Sequence, residues 1–244
     1  MIAIQTTNLT KQYTNITAVD SLNLTIQRGE LFALLGVNGA GKTTTIKMLT
    51  CLIKPTSGHA MLLDLNILTE VVKVKSKINV SPQETAIAPN LSVRENLELI
   101  AGIYGNNRKM KMQKAQDSIS QFGFEKIAKQ KAKTLSGGWQ RRLSIAMALI
   151  SDPEVLFLDE PTLGLDVLAR RELWHIIQLL KKRVTVILTT HYLEEAVALS
   201  DRIGIMASGK LMAVGTAEEM MIRTGCSTFE DAFIKIAAEE MVNE

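Results

Sequence analysis

Hydrophobic and polar positions along the chain follow two periods. Leu22, Leu24 and Ile26 alternate with polar neighbours and end in the turn signal Arg28-Gly29. Residues 1 to about 35 therefore predict antiparallel strands. Leu31-Phe-Ala-Leu-Leu35 is continuously apolar, and from Thr44 to Ile53 the spacing turns helical. Ser92-Val-Arg-Glu95 has the form of a capping box and opens a helical stretch that runs to about Lys133. A second amphipathic helix is expected from Trp139 to Ile150, with Ser136 as its N-cap. Val155-Leu-Phe-Leu158 and Val184 to Thr190 then read as buried strands. A helix over Glu194 to Leu199 follows, with short strands at Ile203 to Met206 and Lys210 to Val214. This order of elements is that of an α/β protein.

The chemistry lies where these elements meet. Gly36-Val-Asn-Gly-Ala-Gly-Lys-Thr43 fits the pattern G-x-x-x-x-G-K-[ST] and stands between a strand and a helix, the context in which a phosphate-binding loop works. Glycines at 36, 39 and 41 free the backbone, with Asn38 and Ala40 between them, to turn successive N–H groups toward an anion. The following helix presents its positive end to the same place. Lys42 would reach the β- and γ-phosphates of ATP, Thr43 would coordinate Mg²⁺, and Thr44 would donate to phosphate oxygen. Asp159 and Glu160 end an apolar strand and so emerge at the ligand crevice of an open parallel sheet. Adjacent acids on a strand point to opposite sides, which suits Asp159 to the Mg²⁺ shell and Glu160 to general-base work on water.

With Leu135-Ser-Gly-Gly-Trp-Gln-Arg-Arg142 added, the chain resembles the ABC transporter ATPases over nearly its whole length. The resemblance implies a P-loop NTPase core with an N-terminal antiparallel β-subdomain and an inserted α-helical subdomain. One cassette would span 1–244, with the core at approximately 1–90 and 150–244 and the helical insert at approximately 91–149. It implies that Ser136, Gly137 and Gly138 contact the γ-phosphate held by an opposite subunit. The usual family form is LSGGQ, and Trp139 departs from it, which bears on any side-chain contact at that position. The resemblance also implies that adenine stacks on Tyr13, that Gln83 reaches Mg²⁺ and the attacking water, and that His191 contacts the γ-phosphate. Gly164-Leu165-Asp166 matches the loop that crosses the dimer interface. Thr228 to Phe233 is similar to the ending of exporter-type cassettes. His59 and His175 have no such setting and read as structural.

Composition narrows the partners. Net charge is +3 over 244 residues with no long basic stripe, so nucleic acid is not expected. The Lys109-Met-Lys-Met112 run reads as a solvated face. Cys51 and Cys226 read as reduced thiols. The start lacks a basic n-region, and no run approaches the ~18 apolar residues of a bilayer span. A membrane pathway would therefore belong to a separate transmembrane permease subunit, with this chain peripheral on the cytoplasmic face. No internal repeat is present, so each chain supplies one cassette of a homodimer or of a mixed pair. The favoured reading is the ATP-hydrolysing subunit of an exporter. A cassette ATPase acting on ribosomes or DNA, and a small-molecule P-loop kinase, are the alternatives. The kinase reading leaves Leu135 to Arg142 without a role.

Overall fold

In the computed structural model, the structure is described for residues 1–238; residues 239–244, the end of the predicted cassette, lie outside the described residues. The alternating start forms β1 (Ile2–Tyr13) and β2 (Ile16–Gln27), paired antiparallel. Leu22, Leu24 and Ile26 all point to one buried face. The antiparallel reading stops there. β3 (Leu31–Leu35) belongs to another sheet, because all five of its residues are buried and a strand covered on both faces needs parallel neighbours and helices around it.

After the glycine loop, α1 covers Lys42–Leu49, starting two residues before the predicted helix and stopping sooner; Cys51 has left the helix with φ 57°. β4 (Ser57–Leu62) and β5 (Leu65–Asn66), which the pattern did not announce, complete a first sheet of order β2-β1-β4-β5. α2 (Val71–Lys77) leads into β6 (Ile78–Ser81).

The helical stretch begins at α3 (Val93–Ile103), and its capping box is made: Ser92 accepts from the Glu95 backbone while Glu95 accepts from that of Ser92. α4 (Arg108–Phe122) stops at Gly123 with φ 70°. α5 (Gly137–Leu149) packs on both, burying Leu97, Ile119, Phe122 and Leu143 together. Met110 and Met112 are about half exposed on α4, and Lys109 is exposed beside them.

β7 (Val155–Asp159), α6 (Val167–Gln178), β8 (Thr185–Thr190), α7 (Leu193–Leu199), β9 (Arg202–Ala207) and β10 (Lys210–Gly215) follow, then α8 (Ala217–Thr224) and α9 (Phe229–Ala238). The second sheet has the order β10-β9-β3-β8-β7-β6, parallel except for β10 on one edge. Phe32 and Phe157 on its two central regions are fully buried against the first sheet's core, and truncating either to alanine would cost about 3–5 kcal/mol.

This topology positions the chemistry. Leu35 pairs with Thr190, and Asp159 with Thr189, so the carboxyl ends of β3, β8 and β7 stand in a row. The glycine loop, Glu160 and His191 leave the sheet from these adjacent ends, where ligands bind in open parallel sheets.

Candidate nucleotide site

The carboxyl-end crevice holds a cavity of about 450 Å³ lined by Asn38 to Thr44, Gln83, Glu160, Leu163 and His191, with Ala18 of β2 on its rim. Gly41 ends the loop at φ 101°, and a Cβ there would stand 2.4 Å from the Ala18 carbonyl oxygen. No other residue type fits both the backbone and the space. Lys42 is 6% exposed; its Nζ donates to the Gly36 carbonyl at 2.7 Å and lies 3.5 Å from Glu160 Oε1. A buried ammonium held at a cavity wall by loop carbonyls and one carboxylate suits a polyanion.

Asp159 and Glu160 do serve different neighbours, though strand alternation is not the whole cause. Asp159 ends β7, accepting from Thr43 Oγ1 at 3.2 Å and from Thr189 Oγ1 at 2.5 Å. Glu160 lies beyond the strand in the left-handed region, φ 48°, its N–H shared between the Thr189 carbonyl and hydroxyl. That turn, uncommon for a side chain with a Cβ, swings the carboxylate toward Lys42 and to 2.7 Å from His191 Nδ1. Among the described residues no group of three or more His, Cys, Asp or Glu is placed to hold a metal alone. The oxygen pair Thr43 and Asp159 is nonetheless the donor set that suits Mg²⁺, which takes one or two protein ligands and completes its shell with phosphate and water.

Other predicted residues stand apart. Tyr13 closes β1 with 44% of its surface exposed and the Lys11 ammonium 5.1 Å from its ring centre; it is not among the residues lining the cavity. Ser136, Gly137 and Gly138 open α5 and also lie outside the lining. Ser136 occupies the N-cap position, yet its side chain makes no capping bond, so the expected cap is absent. Trp139 turns back onto the helical layer, 5.9 Å from Phe124 and beneath the Arg142 guanidinium at 4.3 Å. Asp166 caps α6 by accepting from the Ala169 N–H at 2.9 Å. His59 and His175 are exposed on β4 and α6, away from the cavity. Cys51 and Cys226 are free thiols; burial pushes Cys51 up, partly offset by Lys75.

Sequence reasoning missed several members. Thr189 serves both acids at once, and its only signal was a hydroxyl pair closing an apolar run. Glu195 on α7 is fully buried and accepts from Trp174 Nε1 at 3.0 Å. Burial pushes its carboxyl above the ordinary range, opposed by hydroxyls of Thr190 and Thr162 and by Trp174, and assisted by Glu160. Arg141, 5% exposed on α5, was passed over beside its neighbour Arg142.

A glycine cradle with a buried lysine, two acids at a strand end and a facing histidine form the phosphate-binding site of a P-loop cassette. The chain belongs to the ABC transporter family, whose model matches residues 19–163. It is 38% identical over 239 residues to the probable multidrug ABC transporter ATP-binding protein YbhF of Escherichia coli, covering 96% of this chain and 41% of that protein. It is 39% identical to the linearmycin resistance ATP-binding protein LnrL of Bacillus subtilis, over 92% of this chain and 73% of that one. The chain thus spans about two fifths of the first relative's length and about three quarters of the second's. The fold matches a dimeric ATP-binding cassette, MJ0796, in a post-hydrolysis state with ADP and Pi, at TM-score 0.78 and 28% identity, covering 87% of this chain and 98% of that one. Among the described residues no helix is long and apolar enough to cross a membrane.

Proposed function

We propose that this chain is the ATP-binding subunit of a membrane exporter, hydrolysing ATP between two cassettes arranged head to tail. One observation carries the reading. The Ser136–Gly138 turn opens a 13-residue helix, carries no side-chain cap and takes no part in its own chain's cavity. Free N–H groups at a helix start seek an anion. A two-fold relation would bring each turn to the other chain's cavity, whether the partner is a second copy or a paralogue.

In this reading the backbone from Gly36 through Asn38, Gly39, Ala40 and Gly41 cradles the phosphates, with Lys42 and Thr44 on their oxygens and Tyr13 stacking on adenine. Thr43, Asp159 and Gln83 hold Mg²⁺, which when bound neutralises phosphate charge. Glu160 orients a water and accepts its proton as the water oxygen bonds to the γ-phosphorus. The bond from that phosphorus to the bridging oxygen breaks, and its electron pair leaves with ADP. Lys42 and His191 stabilise the charge spread over the γ-oxygens. Release of phosphate removes what joins the halves. The motion passes to a separate transmembrane subunit on the cytoplasmic face, through the helical subdomain at about 91–149 and the Gln83 loop. The drug-resistance names of the relatives support export, and a net charge of +3 gives no support to nucleic acid.

The test is Glu160→Gln. The variant should keep ATP affinity, lose at least about 100-fold in turnover, and run as an ATP-dependent dimer on gel filtration. Normal hydrolysis without a dimer rejects the proposal.

A further inference from the structure

Arg141 lies little more than one helical turn beyond Ser136, on a face of α5 that looks into the protein. Its Nη1 donates to the Pro82 carbonyl at 2.6 Å and its Nη2 to the Gln83 carbonyl. A guanidinium is a planar fork of fixed donors, so one side chain takes two successive carbonyls of the same loop. Farther along that face, Ser144 Oγ stands 3.0 Å from Ser81 Oγ at the end of β6. α5, the signature helix that Ser136 opens, therefore grips the strand end and the loop behind Gln83 at two neighbouring points.

Burying an arginine is unfavourable unless its donors and charge are satisfied. Burial weakens its hold on its proton, and the nearby charges of Asp159 and Glu195 oppose that effect. The gripped loop is otherwise open, since Gln83 and Glu84 are exposed and the Gln83 side chain lines the nucleotide cavity. A satisfied, buried fork beneath an exposed functional amide fixes where that amide can reach.

We propose that Arg141 is a positioning residue for hydrolysis. It ties the carbonyls beneath Gln83 to the signature helix, so that Gln83 meets the water-side of its own cavity when Ser136 of the same chain engages the other chain's nucleotide. Engagement at one site thereby licenses the water at the other. The inference rests on the roles proposed above for Gln83 and Ser136.

A double-mutant cycle on the purified chain tests it, with Arg141→Met, Gln83→Ala and the pair, reading kcat, KM for ATP, affinity for a fluorescent ATP analogue, and Tm. Arg141→Met should lower kcat about tenfold while analogue affinity stays within about twofold. Added to Gln83→Ala it should lower kcat by less than about twofold more, since both act through one amide. Losses that multiply in the pair overturn the positioning role while leaving Gln83 its own. A Gln83→Ala chain with normal kcat overturns both assignments. If Arg141→Met fails to fold, Arg141→Lys replaces it: one ammonium cannot serve both carbonyls in the same geometry, and the same non-additivity is expected. A loss seen only in Tm, with kcat unchanged in the folded fraction, also overturns the proposal.

Discussion

Two helices in this chain start at glycine-rich turns, and their surroundings differ. At the start of α1, a Cβ on Gly36 or Gly41 would stand 2.4 Å from the Met206 or the Ala18 carbonyl oxygen, and Lys42 is buried beside them. At the start of α5, nothing lies within 4 Å of a Cβ built on Gly137, and Ser136 is exposed without a capping bond. The first turn is walled by its own fold at Gly36 and Gly41 and open at Gly39. The second is preformed by its helix and touched on one flank by Ala169 of α6, with Gly137 left open. On the proposed reading, enclosure separates a cradle that one protomer can own from a surface that meets another.

The sharpest attempt to break this contrast is Ser136→Arg. Turnover should fall at least about 100-fold while nucleotide affinity of the single chain, measured by titration of a fluorescent analogue, stays within about twofold. Equal losses in both would place the turn in its own chain's cavity. Next comes a matched pair of alanines. Gly41→Ala must hold a Cβ at φ 101° against a carbonyl, a strain of about 1–3 kcal/mol. In a chain of this size each kcal/mol is about 2–4 °C of Tm, so calorimetry should show a clear fall, with nucleotide affinity lost as well. Gly137→Ala sits in open helix and should leave Tm unchanged or raise it by up to about 2–4 °C, the equivalent of about 1 kcal/mol, while turnover drops. If the two variants behaved alike, the contrast between enclosed and open turns would fail.

The smallest effect concerns the ground behind the enclosed site. Glu195 has a raised carboxyl pKa, its neighbours including Glu160 and Arg141. The fold then binds that proton more tightly than the unfolded chain does. Its stabilising contribution is complete below the ordinary carboxylate pKa, about 4.3, and is lost as pH rises through the raised value. Glu195→Gln, which keeps the acceptor for Trp174 and cannot ionise, should gain a few degrees of Tm on wild type as pH climbs from about 4.5 to 8. A Tm difference independent of pH would show that the carboxyl does not titrate in this way.

Much of this was legible in the residues. The glycine pattern, the acids after an apolar strand and the Ser-Gly-Gly turn are local spellings whose geometry follows from a few neighbouring residues, and they fell at helix starts and strand ends as expected. What stayed hidden depends on distant pairing. Thr189 matters because β8 lies beside β7 in register with Asp159, and no local pattern records that neighbour. β3 is continuously apolar where its predecessors alternate, and its place in a second, parallel sheet is set by β8 and β9 on either side. Glu160 is swung by a left-handed turn that an Asp-Glu-Pro string does not announce. Arg141 has no local pattern that marks it, because its partners are the carbonyls of a loop 58 and 59 residues earlier.

The two tryptophans of the chain sit on neighbouring helices, α5 and α6, in different surroundings. Trp139 is sandwiched at the first turn of the signature helix, and Trp174 is bonded to the buried carboxyl behind the hydrolytic centre. The molecule thus carries two native fluorophores. Emission from a chain keeping only Trp139 follows the open turn, and emission from one keeping only Trp174 follows the enclosed site, so an optical record of each turnover comes without any attached dye.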